Sequence, residues 1–134
     1  MAKRYVMGKI LLIDDDTAFL TLLENYVEEN YPELQILTCN DPLKCLASIS
    51  QDLDLLLVDL EMPGLDGSKV LSYALSKGVN KNRIVILSGH DADYLHGCFP
   101  MGSCLAVLNK YEAQQRTVLN MIFKSLEDKI RGKR

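Results

Sequence analysis

Six side chains carry most of the chemical interest in this 134-residue chain: Asp14, Asp15 and Asp16 in one unbroken run, then Asp59, Ser88 and Lys110. Each stands at the end of a short apolar run: Ile10–Ile13, Leu55–Val58, Ile84–Leu87 and Leu105–Leu108. If those runs lie side by side, the acids converge. Two like charges about 4 Å apart repel by roughly 4 kcal/mol at an effective dielectric near 20. Several such pairs would remove much of a typical stability of about 5–15 kcal/mol. The set therefore needs a cation, a raised pKa or a cationic side chain. Carboxylate oxygens with room for water suit a hard ion, and beside a phosphate the natural choice is Mg²⁺. Lys110 adds a positive charge and Ser88 a neutral donor. A carboxylate is a poor nucleophile towards most carbon centres but an adequate one towards phosphorus. Positioning and charge neutralisation are what phosphoryl transfer mostly requires. A lone Asp after a strand is usually a helix cap; the convergence of all of them is what points to chemistry.

The elements that would hold these residues are legible as an alternation. Apolar runs at Ile10–Ile13, Leu34–Cys39, Leu55–Val58, Ile84–Leu87 and Leu105–Leu108 read as strands, all but Leu34–Cys39 continuously apolar, as strands covered on both faces must be. The segments between them have helical period. Phe19, Leu22, Leu23, Tyr26 and Val27 share one helical face, with Asp16 or Thr17 as its cap. Asp41-Pro42 opens a second helix through Leu43, Leu46 and Ala47. Val70, Leu71, Ala74 and Leu75 mark a third, ended by Gly78. His90–Gly102 contains two glycines and a proline, which predicts a short or irregular fourth helix. Val118, Ile122, Leu126 and Ile130 line the last, with Leu119 and Phe123 beside them. Five β-α units predict an α/β fold: a doubly wound, five-stranded parallel sheet of order 2-1-3-4-5, flavodoxin-like. Ligands of such sheets bind beyond the carboxyl ends of the strands, where the six residues stand.

Composition narrows the alternatives. Apolar residues make up 48% and charged residues 25%, ordinary for one globular domain. No run approaches the ~20 apolar residues of a membrane span, and the first residues do not form a signal peptide. A net charge of −3 without a basic, aromatic-interleaved stripe speaks against nucleic acid. Cys39, Cys45, Cys98 and Cys104 lack CxxC spacing and are expected as reduced core thiols of a cytoplasmic protein. GxSxG, GxxxxGK[ST] and GxGxxG are absent, as is a Ser-His-Asp arrangement. A tail over 1–8, one domain over 9–131 and a short tail over 132–134 are expected.

ILLIDDD, LLLVDLEMPGLDG, IVILSG and VLNK, in this order and spacing, resemble the receiver domain of two-component response regulators. The resemblance runs from about Lys9 to Ile130, and the segment Asp59–Gly67 is its most specific part. It implies that Asp59 is the phosphoacceptor, that Asp15 binds Mg²⁺ directly and Asp14 through water, and that the Glu61 carbonyl completes the coordination. Ser88 matches the switch hydroxyl and Lys110 the lysine of the site. The implied donor is a phosphohistidine on a sensor histidine kinase or a histidine phosphotransfer protein. The implied response is altered partner binding on the face made by the fourth helix, fifth strand and last helix, with phosphorylation-dependent dimerisation as one form of it. Catalysis would be confined to the chain's own phosphorylation and dephosphorylation. The output partner is unspecified: no output domain follows, so the chain acts alone or precedes one. Glu61 lies two residues after the acceptor and His90 two after Ser88, a spacing at which the pair could tune the lifetime of the phosphoryl group.

Three positions depart from the family pattern: Val107 where an aromatic is usual, Tyr111 where proline usually follows the lysine, and Gly89 after Ser88. They keep open a docking module that is never phosphorylated. A haloacid-dehalogenase-type phosphatase, which also uses an Asp nucleophile, would need a further acidic pair at a strand end. After Lys110 only Glu112, Glu127 and Asp128 remain, and that reading leaves Asp59 and MPGLDG unexplained.

Overall fold

In a computed structural model, residues 7–100 and 102–132 are described; most of the two expected tails lies outside them. Five parallel strands form the sheet: β1 (Gly8–Ile13), β2 (Leu34–Cys39), β3 (Leu55–Asp59), β4 (Ile84–Ser88) and β5 (Ala106–Asn109), in the order β2-β1-β3-β4-β5. The helices are α1 (Thr17–Asn30), α2 (Pro42–Ser48), α3 (Gly67–Ser76), α4 (Ala92–Cys98) and α5 (Ala113–Gly132). The doubly wound order is the one the β-α alternation predicts. No helix among the described residues is long and apolar enough to cross a membrane.

Helix starts follow local chemistry. Asp16, Asp41, Asp66 and Asp91 each cap a helix, their side chains accepting from Phe19 N, Leu43 N, Ser68 N and Tyr94 N. Gly78 follows α3 with φ +90°, a left-handed conformation that glycine adopts without strain. The fourth helix is short, as the glycines and proline of the segment His90–Gly102 predict. A two-residue hairpin, Glu61–Met62 against Leu65–Asp66, follows β3; strands this brief leave no periodic signal in a sequence.

Alternation along the strands divides the core. Ile10, Leu12, Leu55, Leu57, Val85, Leu87 and Leu108 pack with Leu20, Leu23 and Val27 of α1 and Leu119, Phe123 and Ile130 of α5. Leu11, Ile13, Leu56, Val58, Ile84 and Ile86 pack with Cys45 of α2 and Val70, Leu71 and Ala74 of α3. Two helical expectations shift in detail. Leu22 and Tyr26 stay exposed on α1. On α5 the deep residues are Leu119, Phe123 and Ile130, while Val118, Ile122 and Leu126 are partly buried.

The cysteines correct the sequence reading. Cys39 and Cys45 are joined as a disulfide, and of the two free cysteines Cys98 is exposed and Cys104 partly buried. Spacing alone did not signal the pair, because it forms where the end of β2 meets the buried face of α2.

Candidate functional site

The register carries the acids together. Ile13 of β1 pairs with Val58 of β3, so Asp14 and Asp59 stand one step further along neighbouring strands. Both continue the alternation that turns Leu12 and Leu57 towards α1 and α5, and Lys110 continues it from Leu108. Asp14 and Asp59 are buried, whereas Asp15 is exposed at the mouth. One carboxylate oxygen from each of Asp14, Asp15 and Asp59 lies within 4.8 Å of the others.

Lys110 is the counter-charge. Its Nζ lies 2.5 Å from Asp14 Oδ2 and 3.5 Å from Asp59 Oδ1. The ammonium also sits 4.7 Å from the centre of the Phe19 ring, a cation–π contact that helps hold it at the rim. Burial works against the charged lysine, but the carboxylates of Asp14 and Asp59 outweigh it and raise the Lys110 pKa. Asp59 moves the same way for a different reason. Burial first, then the Asp14 charge, push its pKa up to about 8, and Lys110 with the Glu61 N–H offsets them only in part. The raised pKa and the buried lysine are two of the three remedies that the clustered acids required.

The third remedy, a cation, fits the residues present. Asp14 Oδ1 accepts from Asp16 N at 2.9 Å. Buried Oδ2 has no directed hydrogen bond and is met by the lysine charge alone among the described residues. Three hard oxygen donors, one solvent-facing, suit Mg²⁺ better than a soft metal. An open cleft of about 290 Å³, lined by Asp15, Asp59, Glu61, His90, Lys110 and Tyr111 among others, gives access from solvent.

A second cluster flanks this cleft. The Ser88 hydroxyl donates to Glu61 Oε1 in a short hydrogen bond and accepts from His90 N at 3.0 Å. His90 Nε2 lies 3.1 Å from the same Glu61 oxygen, and the imidazole stacks on Tyr94 with ring centres 4.1 Å apart. Glu61 N donates to Asp59 Oδ1 at 3.3 Å, which ties the hairpin to Asp59. Glu61 and His90, read from spacing alone, thus meet across the cleft.

Asn109 was missed. Its Nδ2 donates to His90 O at 2.8 Å, while its Oδ1 accepts from Tyr111 N and Glu112 N at 2.7 and 3.1 Å. One buried amide therefore fastens the loop after β4 to the loop after β5. A polar residue closing the run LAVLN was the available sign. Lys110 N adds a parallel tie to Ser88 O at 2.8 Å.

A family profile described as "Response regulator receiver domain" matches residues 10–121. Among curated proteins, a cyclic di-GMP phosphodiesterase response regulator of Xanthomonas campestris is 39% identical over 59 residues, covering 43% of this chain and 16% of that one. Matches to the curated relatives span 16% to 28% of their lengths. A CheY-like receiver domain structure from Methanospirillum hungatei is similar at TM-score 0.70 and 23% identity, over 96% of this chain and 99% of that one. A Thermotoga maritima response regulator solved with Mg²⁺ and beryllofluoride is similar at TM-score 0.68 and 24% identity, over 90% and 99%.

Proposed function

The chain belongs to the response regulator receiver domain family, and from that premise we propose that it is a phosphoacceptor. Asp59 takes a phosphoryl group from a phosphohistidine of a sensor histidine kinase or histidine phosphotransfer protein. The observation that carries this reading is the convergence of Asp14, Asp15 and Asp59 around one point, with the buried Lys110 ammonium against Asp14 and Asp59. In the transfer, an Asp59 oxygen forms a bond to phosphorus while the phosphorus–nitrogen bond breaks, and the imidazole leaves with its electron pair and takes a proton. Lys110 lies where it neutralises charge on the phosphoryl oxygens. Asp14, Asp15, Asp59 and the Glu61 carbonyl are the residues that would hold Mg²⁺, with Asp14 acting through water. When bound, Mg²⁺ supplies charge neutralisation to the carboxylates and to the phosphoryl oxygens.

The switch follows from Ser88. In the present arrangement its hydroxyl proton is committed to Glu61. A phosphoryl group adds about two negative charges and three strong acceptors. Ser88 exchanges Glu61 for that group and draws the loop after β4 inward, which shifts a pre-existing equilibrium at the face of α4, β5 and α5. Glu61 and His90 tune the lifetime of the aspartyl phosphate by restricting water. The unit is residues 9–131, it works in the cytoplasm, and its catalysis is limited to its own phosphorylation and loss of phosphate.

The test is direct. Acetyl phosphate with Mg²⁺ adds one phosphoryl group to the wild type and none to Asp59→Ala, read by intact mass; beryllofluoride with Mg²⁺ binds only the former. No uptake from either reagent would leave a docking module as the better reading.

A further inference from the structure

The disulfide between Cys39 and Cys45 lies outside the phosphoacceptor cleft but touches its frame. Cys39 is the last residue of β2, and its carbonyl accepts from Asp14 N at 3.1 Å. That bond extends the β1–β2 ladder by one residue, onto the first acid of the site. We propose that Cys39 and Cys45 form a reversible oxidation site that takes a low-molecular-weight disulfide as co-reactant and, when closed, braces the backbone of Asp14.

Three observations support the assignment. The two Cα atoms are 5.6 Å apart, within the range about 4.4–6.8 Å that a disulfide spans, so the fold holds the bonded pair at ordinary disulfide spacing. The two residues are unequally placed: Cys45 is fully buried on α2, whereas Cys39 is partly exposed. An incoming disulfide therefore meets Cys39, and Cys45 is positioned to resolve the intermediate. Thirdly, the other two cysteines stay single, and burial raises the pKa of the Cys104 thiol, which makes it a weak competitor.

The chemistry balances as two exchanges. The Cys39 thiolate attacks one sulfur of the small disulfide, whose S–S bond breaks and releases one thiolate that takes up a proton. The Cys45 thiolate then attacks the Cys39 sulfur and expels the second small thiolate, protonated in turn. Two protein thiols lose two electrons and two protons, and one small disulfide becomes two thiols. A dithiol reverses both steps.

The consequence reaches Asp14 through the backbone. Closing the bond fixes the chain at residue 39 against the buried face of α2, and with it the carbonyl that holds the Asp14 N–H. In the dithiol form this carbonyl is held by the strand ladder alone.

The test uses the full chain reduced with dithiothreitol, then treated with oxidised glutathione and alkylated with N-ethylmaleimide in denaturant. Whatever glutathione the exposed Cys98 takes up, Cys39 and Cys45 should escape the label and map to one Cys39–Cys45 cross-link, and dithiothreitol should restore labelling of all four cysteines. Cys45→Ala should hold glutathione on Cys39, while Cys39→Ser should leave Cys45 unmodified in the native protein. Amide exchange at Asp14 should be several-fold slower in the oxidised form. Four labelled cysteines after glutathione, wild-type protein carrying glutathione on Cys39 without the cross-link, or equal Asp14 exchange in the two forms would overturn the proposal. These readouts need no phosphoryl donor, so their failure is separate from failure of the phosphoacceptor reading.

Discussion

At Asp59, burial and the Asp14 carboxylate both favour the protonated acid, and its pKa rises from an ordinary 3.8 to about 8. Between those limits the native state holds a proton that the unfolded state has released. Stability from this group is therefore greatest at low pH and declines as pH climbs towards about 8. In EDTA, the calorimetric melting midpoint should be lower at pH 8.5 than at pH 5.5, and Asp59→Asn should flatten that slope. Mg²⁺ should raise the midpoint more at pH 8.5, where the carboxylates need it. An equal slope in the variant would place the pH dependence on other groups. Glu61 and His90 invite a kinetic test of their own. If they shield the aspartyl phosphate from water, Glu61→Ala and His90→Ala should each lose phosphate about three to ten times faster, roughly 1 kcal/mol in the barrier. Unchanged half-lives by radiolabel chase in both variants would remove that role. Spacing in the sequence was enough to pair these two residues. It could not show that Ser88 begins in the hands of Glu61, because that depends on how the hairpin after β3 turns.

Among the elements, that hairpin rests on one close approach. A Cβ on Gly67 would stand 2.7 Å from Leu60 Cα and 3.0 Å from Asp59 O, both backbone atoms that cannot step aside. The second glycine of MPGLDG is thus a packing requirement at the start of α3, while Gly64 turns the hairpin at φ +78°. Gly67→Ala should cost about 1–3 kcal/mol in urea unfolding and weaken beryllofluoride binding, since the displaced backbone is that of Asp59, the proposed acceptor. A loss of stability below a few tenths of a kcal/mol would mean that the hairpin yields easily. Elements with a strong local signal were legible: Asp41-Pro42 opens α2, Gly78 closes α3, and Gly97 with Pro100 just beyond keeps α4 short. The two-residue strands were not, being shorter than any period. Nor was the Cys39–Cys45 bond, for cysteine spacing does not reveal which thiols the fold brings within reach.

For the molecule as a whole, strand order puts the proposed switch on one side. Ser88 ends β4 and Lys110 follows β5, on the half of the sheet away from β2 and α2. The usual aromatic relay has no place here, because Val107 fills that position, partly buried against the core shared with α2 and α3. What joins the loop after β4 to β5 and the start of α5 is instead polar and backbone-borne: Asn109 to His90, and Lys110 to Ser88. On the proposed phosphoacceptor reading, movement of Ser88 would pass to β5 through these bonds. Upon addition of beryllofluoride and Mg²⁺, amide exchange at short labelling times should slow most over residues 88–95 and 105–113, and least over 39–49. Short times matter because ligand binding also stabilises the whole fold, by about 2.7 kcal/mol at a hundredfold excess over Kd, and that slows every globally exchanging amide alike. Asn109→Ala should keep the response over 88–95 and lose most of it over 105–113, because the fastening amide is gone while Ser88 and the acceptor remain. If the variant responds over both segments as the wild type does, coupling runs through the packed core and Asn109 serves only to cap the start of α5.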